Sequence, residues 1–258
     1  MIAPPGDAAV HVWHARWDHA GDDARALRAW ALPMVNAAER ARADRRATAL
    51  LQSRQLAASA MTRAVLAGYL DADPGSLAFE SGAHGKPELA RSAWRWLRYN
   101  LSHSGDAIVV AVAVERAVGV DVEHVADLAD TERLAERVLT PAERAIVLAR
   151  PAGGERQRAF YRLWTLKEAY LKGVGTGITV PFHRVEVELA TAGPRLTRGL
   201  GDASSGNPPG WSLAELALAP DVVGAVALAG PLAAVDLCEF RPPGAGGAGP
   251  EMLHWRHA

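Results

Sequence analysis

The chain has 258 residues, enough for one large domain or two smaller ones with a buried core. Its formal net charge of −1 excludes a strong overall basic field, so any polyanion must be held by a local patch. The single cysteine, Cys238, excludes a disulfide framework and a cysteine-based zinc site.

The N-terminal residues contain neither a basic segment nor an apolar core, so no signal peptide is expected. No apolar run reaches the roughly 18 residues that span a membrane. We therefore expect a cytoplasmic protein without membrane contact, in keeping with the lone cysteine.

The first half of the chain is predicted to contain a strand, helices and three further strands. Alternating apolar residues over 8–14 predict the first strand, and a short helix is expected at 22–31. A helical stretch rich in Ala, Arg and Leu runs from about Asn36 to Tyr69. Three strands, at 96–102, 107–114 and 118–122, are expected to form an antiparallel meander.

The second half is predicted to contain helices followed by strands. Thr140-Pro141-Ala142-Glu143 is a capping box with proline at the first helical position, so a helix begins there. A longer helix over 155–172 ends at the glycines of Gly173-Val174-Gly175-Thr176-Gly177. Strands are expected at 184–190, 211–218 and 222–229.

This order of elements predicts an α+β fold with an internal pseudo-repeat. The predicted division is an N-terminal subdomain over 1–117 and a C-terminal subdomain over 118–240. The tail over 241–258 is rich in Pro and Gly and is predicted to be disordered.

Lysine is rare in this chain. Of the 28 lysines and arginines only three are lysines, namely Lys86, Lys167 and Lys172. A codon bias explains the many arginines but not these exceptions, which indicate a need for a compact ammonium group.

Asp121 and Glu123 lie two residues apart at the end of a predicted strand, so both side chains point to one face. Neighbouring carboxylates repel each other, and a hard divalent cation between them removes that repulsion. The alternative, which a bare D-x-E pattern favours, is a solvent-facing strand end.

Trp164, Glu168 and Lys172 recur every four residues and share one stripe of the predicted helix. The alternative is a plain surface pair of Glu168 with Lys172. That alternative accounts neither for the tryptophan nor for two of the three lysines in this segment.

Two turn segments carry polar groups suited to a phosphate or a base edge. In Gly85-Lys86-Pro87 the proline and the glycine hold the lysine in a fixed direction. In Asn100-Leu101-Ser102-His103-Ser104-Gly105-Asp106 a histidine able to donate to a phosphate lies among small polar residues. Each is also compatible with an ordinary exposed turn. The glycine-rich run after the long helix does not open a helix, so we interpret it as a helix stop and not as a phosphate loop.

Individually these signals are modest, but their order is specific. Gly85-Lys86-Pro87, Asn100 to Gly105, Gly119-Val120-Asp121-Val122-Glu123 and the segment from Trp164 to Lys172 together resemble the surfactin-synthetase-activating type of 4′-phosphopantetheinyl transferase. The motifs span about residues 85–177, with weaker agreement over Arg40–Arg54.

The resemblance implies a pseudo-twofold pair of similar α/β subdomains in one chain, with the active site in the cleft between them. It implies coenzyme A as substrate and Mg²⁺ as the metal, with Mn²⁺ as the alternative. Asp121, Glu123 and Glu168 match the family's metal-binding carboxylates, and Glu168 and Lys172 its catalytic residues. The coenzyme A contacts implied by position are Arg54, Gly85, Lys86, Pro87, Ser102, His103 and Lys172. Of these, His103 and Arg54 are expected to lie near the 3′-phosphate. Arg40 and Arg42 are expected to add positive charge beside that phosphate.

The implied reaction is Mg²⁺-dependent transfer of the 4′-phosphopantetheine group from coenzyme A to a serine hydroxyl of an apo carrier protein, with release of 3′,5′-ADP. Glu168 or a water on the metal is the base, and the sequence does not choose between them. The implied acceptor is a peptidyl, polyketide or acyl carrier protein. The enzyme is expected to be a monomer and to bind no nucleic acid. The loop from Lys172 to about Pro181 is expected to help recognise it.

Two other function classes share part of this pattern. A metal-dependent nuclease or phosphodiesterase also uses carboxylates with a lysine, but no aromatic and basic groove for a nucleic acid is evident. A non-catalytic coenzyme A-binding module has no need of three carboxylates of the metal-binding type.

Overall fold

The computed structural model describes residues 1–17, 21–82, 85–126, 131–176, 180–200, 210–241 and 252–257. Its helices are α1 (Gly21–Ala31), α2 (Ala37–Asp44), α3 (Ala49–Leu70), α4 (Thr131–Val138), α5 (Pro141–Leu148) and α6 (Gly154–Val174). Its strands are β1 (Ala9–Arg16), β2 (Phe79–Ser81), β3 (Pro87–Leu89), β4 (Leu97–Ser104), β5 (Ala107–Val114), β6 (Val118–His124), β7 (Glu186–Ala190), β8 (Gly193–Arg198), β9 (Trp211–Leu216), β10 (Val222–Ala229), β11 (Ala234–Phe240) and β12 (Met252–His257). The predicted α+β class is confirmed.

The first sheet has five strands in the order β12-β11-β1-β5-β4, so β4 forms one edge. Helix α3 covers one face of this sheet, where Met61 and Leu66 pack with Trp13, Val110 and Val112. This burial of an alternating strand face against a helix is what holds the N-terminal half together.

The second sheet has three strands in the order β6-β10-β9, and α6 packs on one of its faces. On that face Leu166 and Ala169 of α6 belong to the same apolar cluster as Ala225 and Ala227 of β10. The opposite face packs against the first sheet through a further cluster, which includes Val10, Val12, Val109, Val120, Val122 and Val226. The layers therefore run helix, sheet, sheet, helix.

The two halves repeat one arrangement of elements. In the first half a strand (β1), a helix (α3) and a hairpin (β4, β5) follow one another along the chain. In the sheet that these strands share, β5 lies between β1 and β4. In the second half β6, α6, β9 and β10 follow in the same chain order, and β10 lies between β6 and β9. The predicted pseudo-repeat is therefore visible in the topology.

Strand β6 does not continue the predicted meander. The strands predicted at 96–102 and 107–114 do pair as the hairpin β4–β5, but β6 pairs with β10 in the other sheet. Glu115 adopts a left-handed φ of 54°, and the guanidinium of Arg116 donates to backbone carbonyls of Asp7, Ala229 and Pro231. This kink turns the chain out of the first sheet before β6 begins.

The last strands lie with the N-terminal half. Strand β11 pairs in parallel with β1, although the predicted C-terminal subdomain of 118–240 included it. Strand β12 pairs with β11, whereas the composition of 241–258 predicts a disordered tail. A partner for β1 removes an open edge from the sheet, which gives the physical reason for this crossover. Residues 242–251 and Ala258 of that tail lie outside the described residues.

The helical stretch predicted from Asn36 to Tyr69 is two helices. Asn36 and Glu39 form a capping box at the start of α2, and the Thr48 side chain accepts from Leu51 N at the start of α3. The fully buried Arg63 of α3 donates to Glu39 at 2.8 Å and so ties the two helices together.

Helix α6 ends as expected at its glycines. Gly175 has a left-handed φ of 91° and its backbone N–H donates to Leu171 O, which is a helix stop and not a phosphate loop. Gly177 lies outside the described residues. None of the described helices is long and apolar enough to cross a membrane.

Gly119 allows β6 to lie directly against α6. A Cβ atom at this residue would lie 2.0 Å from Ala169 O and 2.3 Å from Gly173 N, and neither backbone atom can rotate away. We expect Gly119→Ala to lower the free energy of unfolding by about 1–3 kcal/mol, because helix and strand must separate. Denaturant unfolding followed by circular dichroism measures this.

The matched control is Gly154→Ala in the first turn of α6, where a Cβ atom would meet nothing within 4 Å. That change is expected to leave stability unchanged or to raise it by about 0.5–1 kcal/mol. Equal effects of the two substitutions would contradict the close approach at Gly119.

Candidate active site

The candidate site lies where β4, the edge of the first sheet, runs beside β6 and α6. Side chains alternate along β4, so Asn100, Ser102 and Ser104 share the face that meets β6. Asn100 Oδ1 accepts a hydrogen bond of 2.9 Å from Val120 N. The serines were predicted to lie in a turn, but β4 extends through Ser104 and only Gly105 and Asp106 form the turn. Polar side chains, and not a backbone ladder, therefore join the two sheets here.

Asp121 is the most buried carboxylate of the site, with 2% of its surface exposed. Its Oδ1 accepts from Lys172 Nζ at 2.6 Å and from Ser102 Oγ at 2.8 Å. Lys172 Nζ also donates to Ser102 Oγ at 3.0 Å. Asp121 Oδ2 is buried without a hydrogen-bond partner among the described residues. A buried carboxylate oxygen in this state is suited to act as a ligand for a cation.

Glu123 lies beside Asp121 on the same face of β6, and its Oε2 accepts from Ser104 Oγ at 2.6 Å. Burial raises the pKa of both carboxyl groups above the usual range. At Asp121 the ammonium of Lys172 opposes that rise, and at Glu123 the hydrogen bond from Ser104 opposes it.

Glu168 faces this pair from α6 and is 6% exposed. Burial raises its pKa to about 7, with a further contribution from the negative charges of Asp121 and Glu123 and an opposing one from Lys172. The three carboxylates predicted to bind metal are therefore close enough to affect one another's ionisation. The structure brings together the residues that the sequence separates by about 45 positions.

A hard cation fits this donor set. In the part of the chain that is described, no three His, Cys, Asp or Glu side chains are gathered tightly enough to count as a formed metal site. The Asp121 Oδ2 atom, which has no hydrogen-bond partner among the described residues, and the raised pKa values nevertheless indicate that Lys172 offsets the negative charge of the three carboxylates only in part. Oxygen ligands of this kind suit Mg²⁺.

The three lysines have three different environments. Lys172 alone contacts a carboxylate of the site. Lys86 donates to Val118 O and to Gly173 O, both at 3.0 Å, and burial lowers its pKa to about 8. It therefore fastens the β2–β3 hairpin to β6 and α6. Lys167 is fully buried and pairs with Glu143 at 2.6 Å, away from the site. Their scarcity in the sequence thus does not indicate a shared catalytic task.

The Gly85-Lys86-Pro87 segment borders a cavity. Gly85 has a left-handed φ of 82°, as a tight turn requires, and Pro87 begins β3. The cavity has a volume of about 260 Å³ between this hairpin and the end of α6. Residues of its lining include Lys86, Pro87, Arg98, Gly173 and Gly175. Ala83 and His84 in the same turn lie outside the described residues.

The residues predicted near a 3′-phosphate lie on the other face of β4. His103 alternates with Ser102 and so shares the face on which Leu97 and Tyr99 pack in the cluster that contains α3. Arg54 belongs to α3, and its Nε is buried without a hydrogen-bond partner in the part of the chain that the structure describes. Arg40 is engaged differently, because its guanidinium donates to the backbone of Leu32 and Val35.

Trp164 shares a helical stripe with Glu168 and Lys172, but its ring packs in the apolar cluster around α6. The ring stacks on Phe182 with centroids 4.8 Å apart. Tyr161, seven residues before Glu168, is the aromatic residue of α6 that the sequence reasoning missed. Burial raises the pKa of its phenol, and the charge of Glu123 adds to that rise. The spacing of seven residues on one helix could have found it.

Comparisons with known proteins identify the family of this chain. Residues 117–226 match the family described as the 4′-phosphopantetheinyl transferase superfamily, and residues 23–115 match the N-terminal region of 4′-phosphopantetheinyl transferases. The 4′-phosphopantetheinyl transferase HetI of Nostoc is 35% identical over 222 residues, which cover 86% of this chain and 88% of that protein. The 4′-phosphopantetheinyl transferase psf-1 of Bacillus pumilus is 32% identical over 169 residues, 64% of this chain and 69% of that protein.

A solved structure of a holo-(acyl-carrier-protein) synthase from Bacillus anthracis, in complex with CoA (3′,5′-ADP), covers 45% of this chain and 96% of that one. Its TM-score is 0.37 at 23% identity, too low to support a conclusion. The sequence relationship with HetI extends over most of both chains and includes the segments that build the site. The chain therefore belongs to the 4′-phosphopantetheinyl transferase family of enzymes.

Proposed function

We propose that this enzyme transfers the 4′-phosphopantetheine group of coenzyme A to a serine hydroxyl of an apo carrier protein and releases 3′,5′-ADP. The observation that carries the proposal is the contact of Lys172 with Asp121. The second oxygen of Asp121 is buried beside Glu123 and Glu168 and has no hydrogen-bond partner within the described ranges. The site places a cationic side chain beside carboxylates that can bind a metal ion. This combination suits the cleavage of a pyrophosphate.

Asp121, Glu123 and Glu168 are the residues that would hold Mg²⁺. Bound there, the metal would neutralise charge on the pyrophosphate oxygens and orient the phosphates. Lys172 already lies against Asp121, so its ammonium is placed to stabilise the departing 3′,5′-ADP. We propose Glu168 as the group that accepts the proton of the carrier serine, because it faces Asp121 and Glu123 from α6; its pKa of about 7 is that of the metal-free protein.

The proposed reaction forms one bond to phosphorus and breaks one, and residues of the site take up the proton and the charge that it releases. The serine oxygen forms a bond to the β-phosphorus of coenzyme A, and the bond from that phosphorus to the bridging oxygen of 3′,5′-ADP breaks. The serine proton passes to Glu168. The charge left on the departing phosphate is compensated by Lys172.

Coenzyme A is proposed to lie across the edge of the first sheet at β4. Among the described residues no strand pairs with the outer edge of β4, and the ligand is proposed to place its pyrophosphate near Lys172 and its 3′-phosphate near His103 and Arg54. The cavity beside Lys86 and Pro87 offers room for a further part of the molecule. Arg42 and Ser102 are also proposed to contact coenzyme A, although the Ser102 hydroxyl donates a hydrogen bond to Asp121 as well.

We predict that His103→Ala weakens coenzyme A binding by about tenfold or more, because one hydrogen bond to a charged phosphate is lost. Isothermal titration calorimetry measures the affinity. The control ligand is dephospho-coenzyme A, which lacks only the 3′-phosphate and should bind the variant and the parent protein equally. A loss of the same size for both ligands would show that His103 does not read the 3′-phosphate.

The acceptor is proposed to be a carrier protein or carrier domain of a peptide, polyketide or fatty-acid synthase. The loop that follows Lys172 is a proposed contact for it, and residues 177–179 of that loop lie outside the described residues. A monomeric state, a cytoplasmic location and the lack of a nucleic-acid partner are parts of the same proposal.

Release of 3′,5′-ADP tests the proposal against its rivals. The enzyme is incubated with coenzyme A and Mg²⁺, and free 3′,5′-ADP is measured by chromatography. It should be released only when an apo carrier is added. A carrier whose acceptor serine is replaced by alanine should give no release. A coenzyme A-binding module would release none. Mg²⁺-dependent nicking of plasmid DNA without such release would favour a nuclease.

A further inference from the structure

Strands β4 and β6 belong to different sheets but are joined along the site by a regular series of side-chain contacts. Asn100 accepts from Val120 N, Ser102 donates to Asp121 and Ser104 donates to Glu123. Because both serines lie on one face of β4 and both carboxylates lie on one face of β6, each hydroxyl meets one carboxylate. The spacing of two residues on β4 therefore matches the spacing of two residues on β6.

The hydroxyl of Ser104 has a defined direction. Its oxygen accepts from the backbone N–H of His124 at 3.2 Å and lies 2.6 Å from Glu123 Oε2. With its acceptor side held by the backbone of β6, the hydroxyl proton is directed to the carboxylate. A short hydrogen bond to a charged acceptor is the stronger kind, and it restrains a side chain that has three rotatable bonds.

The turn after β4 keeps Ser104 in place. Gly105 has a left-handed φ of 60°, and a Cβ atom there would lie 2.4 Å from Cδ2 of His124, so the turn packs directly on β6. Asp106 in the same turn accepts from His124 Nε2 at 2.6 Å and pairs with Arg16 of β1. The residues on both sides of the Ser104–Glu123 contact are thus anchored to the same strand end.

We propose that Ser104 is a positioning residue that holds the Glu123 carboxylate in the orientation required to bind the divalent cation. This inference rests on the proposed function for the identity of the site. Ser104 acts through Glu123 and contacts neither Lys172 nor Asp121 in the hydrogen bonds described for it. Ser102 differs, because its hydroxyl touches both Asp121 and Lys172, so its loss would disturb two groups together.

Three substitutions of Ser104 distinguish the effect of its hydrogen bond from the effect of its side-chain volume. Ser104→Ala removes the donor, and Ser104→Cys keeps the size but offers only a weak donor. Ser104→Thr keeps the hydroxyl and is the conservative rescue. The matched control is Ser212→Ala, which removes a half-buried serine whose hydroxyl donates to Gly230 O at 2.8 Å, away from the carboxylates. Thermal unfolding of each full-length variant confirms that it is folded.

The first readout is binding of Mn²⁺ in the presence of coenzyme A, measured by the electron paramagnetic resonance of free Mn²⁺, and it requires no turnover. Loss of a residue that orients a metal ligand costs roughly 10- to 100-fold in metal affinity. We expect that loss for Ser104→Ala and for Ser104→Cys, and parent-like affinity for Ser104→Thr and Ser212→Ala. The second readout is transfer against Mg²⁺ concentration, where the half-saturating Mg²⁺ should rise while the KM for coenzyme A stays unchanged.

Unchanged Mn²⁺ affinity in folded Ser104→Ala and Ser104→Cys would overturn the inference, as would an equal loss in Ser212→Ala. The outcome for the proposed function is separate. If the parent protein binds Mn²⁺ and the Ser104 variants bind it more weakly, but no carrier is modified, the positioning role stands and the proposed transfer fails. If carriers are modified and Mn²⁺ affinity does not depend on Ser104, only the positioning role fails.

Discussion

Replacement of Glu168 by glutamine is expected to lower the rate of phosphopantetheine transfer by about 10²- to 10⁴-fold at saturating coenzyme A and Mg²⁺. The amide cannot accept a proton at neutral pH and is a poorer ligand for a hard cation than a carboxylate. Initial rates of carrier modification measure this. The matched control is Glu155→Gln, an exposed glutamate in the first turn of the same helix, which should keep the parent rate.

The same substitution should stabilise the metal-free protein at neutral pH. The folded state raises the pKa of Glu168 from its usual 4.5 to about 7, so between these values it binds more protons than the unfolded state. Stability contributed by this group is therefore present at low pH and is lost as pH rises through that window. Glu168→Gln should match the parent near about pH 4 and exceed it by up to about 3 kcal/mol near about pH 8 in denaturant unfolding.

A gain in stability with a loss of activity is what a residue selected for chemistry shows. Near-normal transfer by Glu168→Gln at saturating Mg²⁺ would remove Glu168 from the proposed reaction. A loss of stability at about pH 8 would instead show that its carboxylate is paired more favourably than the charges of Asp121 and Glu123 imply.

The second large effect is expected at Lys167, which supports the fold and not the reaction. Its ammonium is fully buried and donates to Val138 O at 3.0 Å and to Glu143 Oε2 at 2.6 Å. Glu143 is 1% exposed and also accepts from the backbone N–H of Thr140 and of Val187. The pair therefore connects α6 to the start of α5 and to β7.

Lys167→Met should lower the free energy of unfolding by about 3–5 kcal/mol, because it leaves the Glu143 carboxylate buried without its cation. The double variant Lys167→Met/Glu143→Gln should be more stable than Lys167→Met alone, since no unpaired charge then remains in the interior. Denaturant unfolding of the two single variants and the double variant gives the coupling.

Arg195→Met provides the control for that cycle. Its pair with Glu188 on β7 and β8 is largely exposed, with side chains 69% and 48% accessible, so its loss should cost less than about 1 kcal/mol. A cost at Lys167 no larger than the cost at Arg195 would show that the buried pair contributes little.

Local patterns predicted the parts of the fold whose causes lie within a few residues. The capping box at Thr140 and Glu143, the left-handed Gly175 and the β4–β5 hairpin all appear as expected. Each depends on hydrogen bonds or dihedral angles between neighbours in the chain. The order of motifs likewise placed Asp121 and Glu168 in one site before their distance in space was visible.

Strand partners were not predictable in the same way. The apolar residues Val118, Val120 and Val122 would suit the first sheet as a third meander strand, yet β6 pairs with β10 and presents them across the interface between the sheets. Alternation tells which face of a strand is buried but not which strand lies beside it. Strand β11 itself was not predicted, so its parallel pairing with β1 was missed as well.

The lysines show a similar limit at the site. An ammonium group is equally suited to a phosphate, a carboxylate or two backbone carbonyls. The sequence could not distinguish Lys172 on Asp121 from Lys86 on the carbonyls of Val118 and Gly173, because these partners come together only through the tertiary fold.

The most direct test of the proposed activity is the intact mass of apo carrier proteins after incubation with the enzyme, coenzyme A and Mg²⁺. Peptidyl, polyketide and acyl carriers should be compared in parallel, each with a partner whose acceptor serine is replaced by alanine. The account predicts a mass gain of one phosphopantetheine group on at least one native carrier and none on its alanine partner. No gain on any folded carrier at saturating coenzyme A and Mg²⁺, with an enzyme that binds coenzyme A, would contradict it.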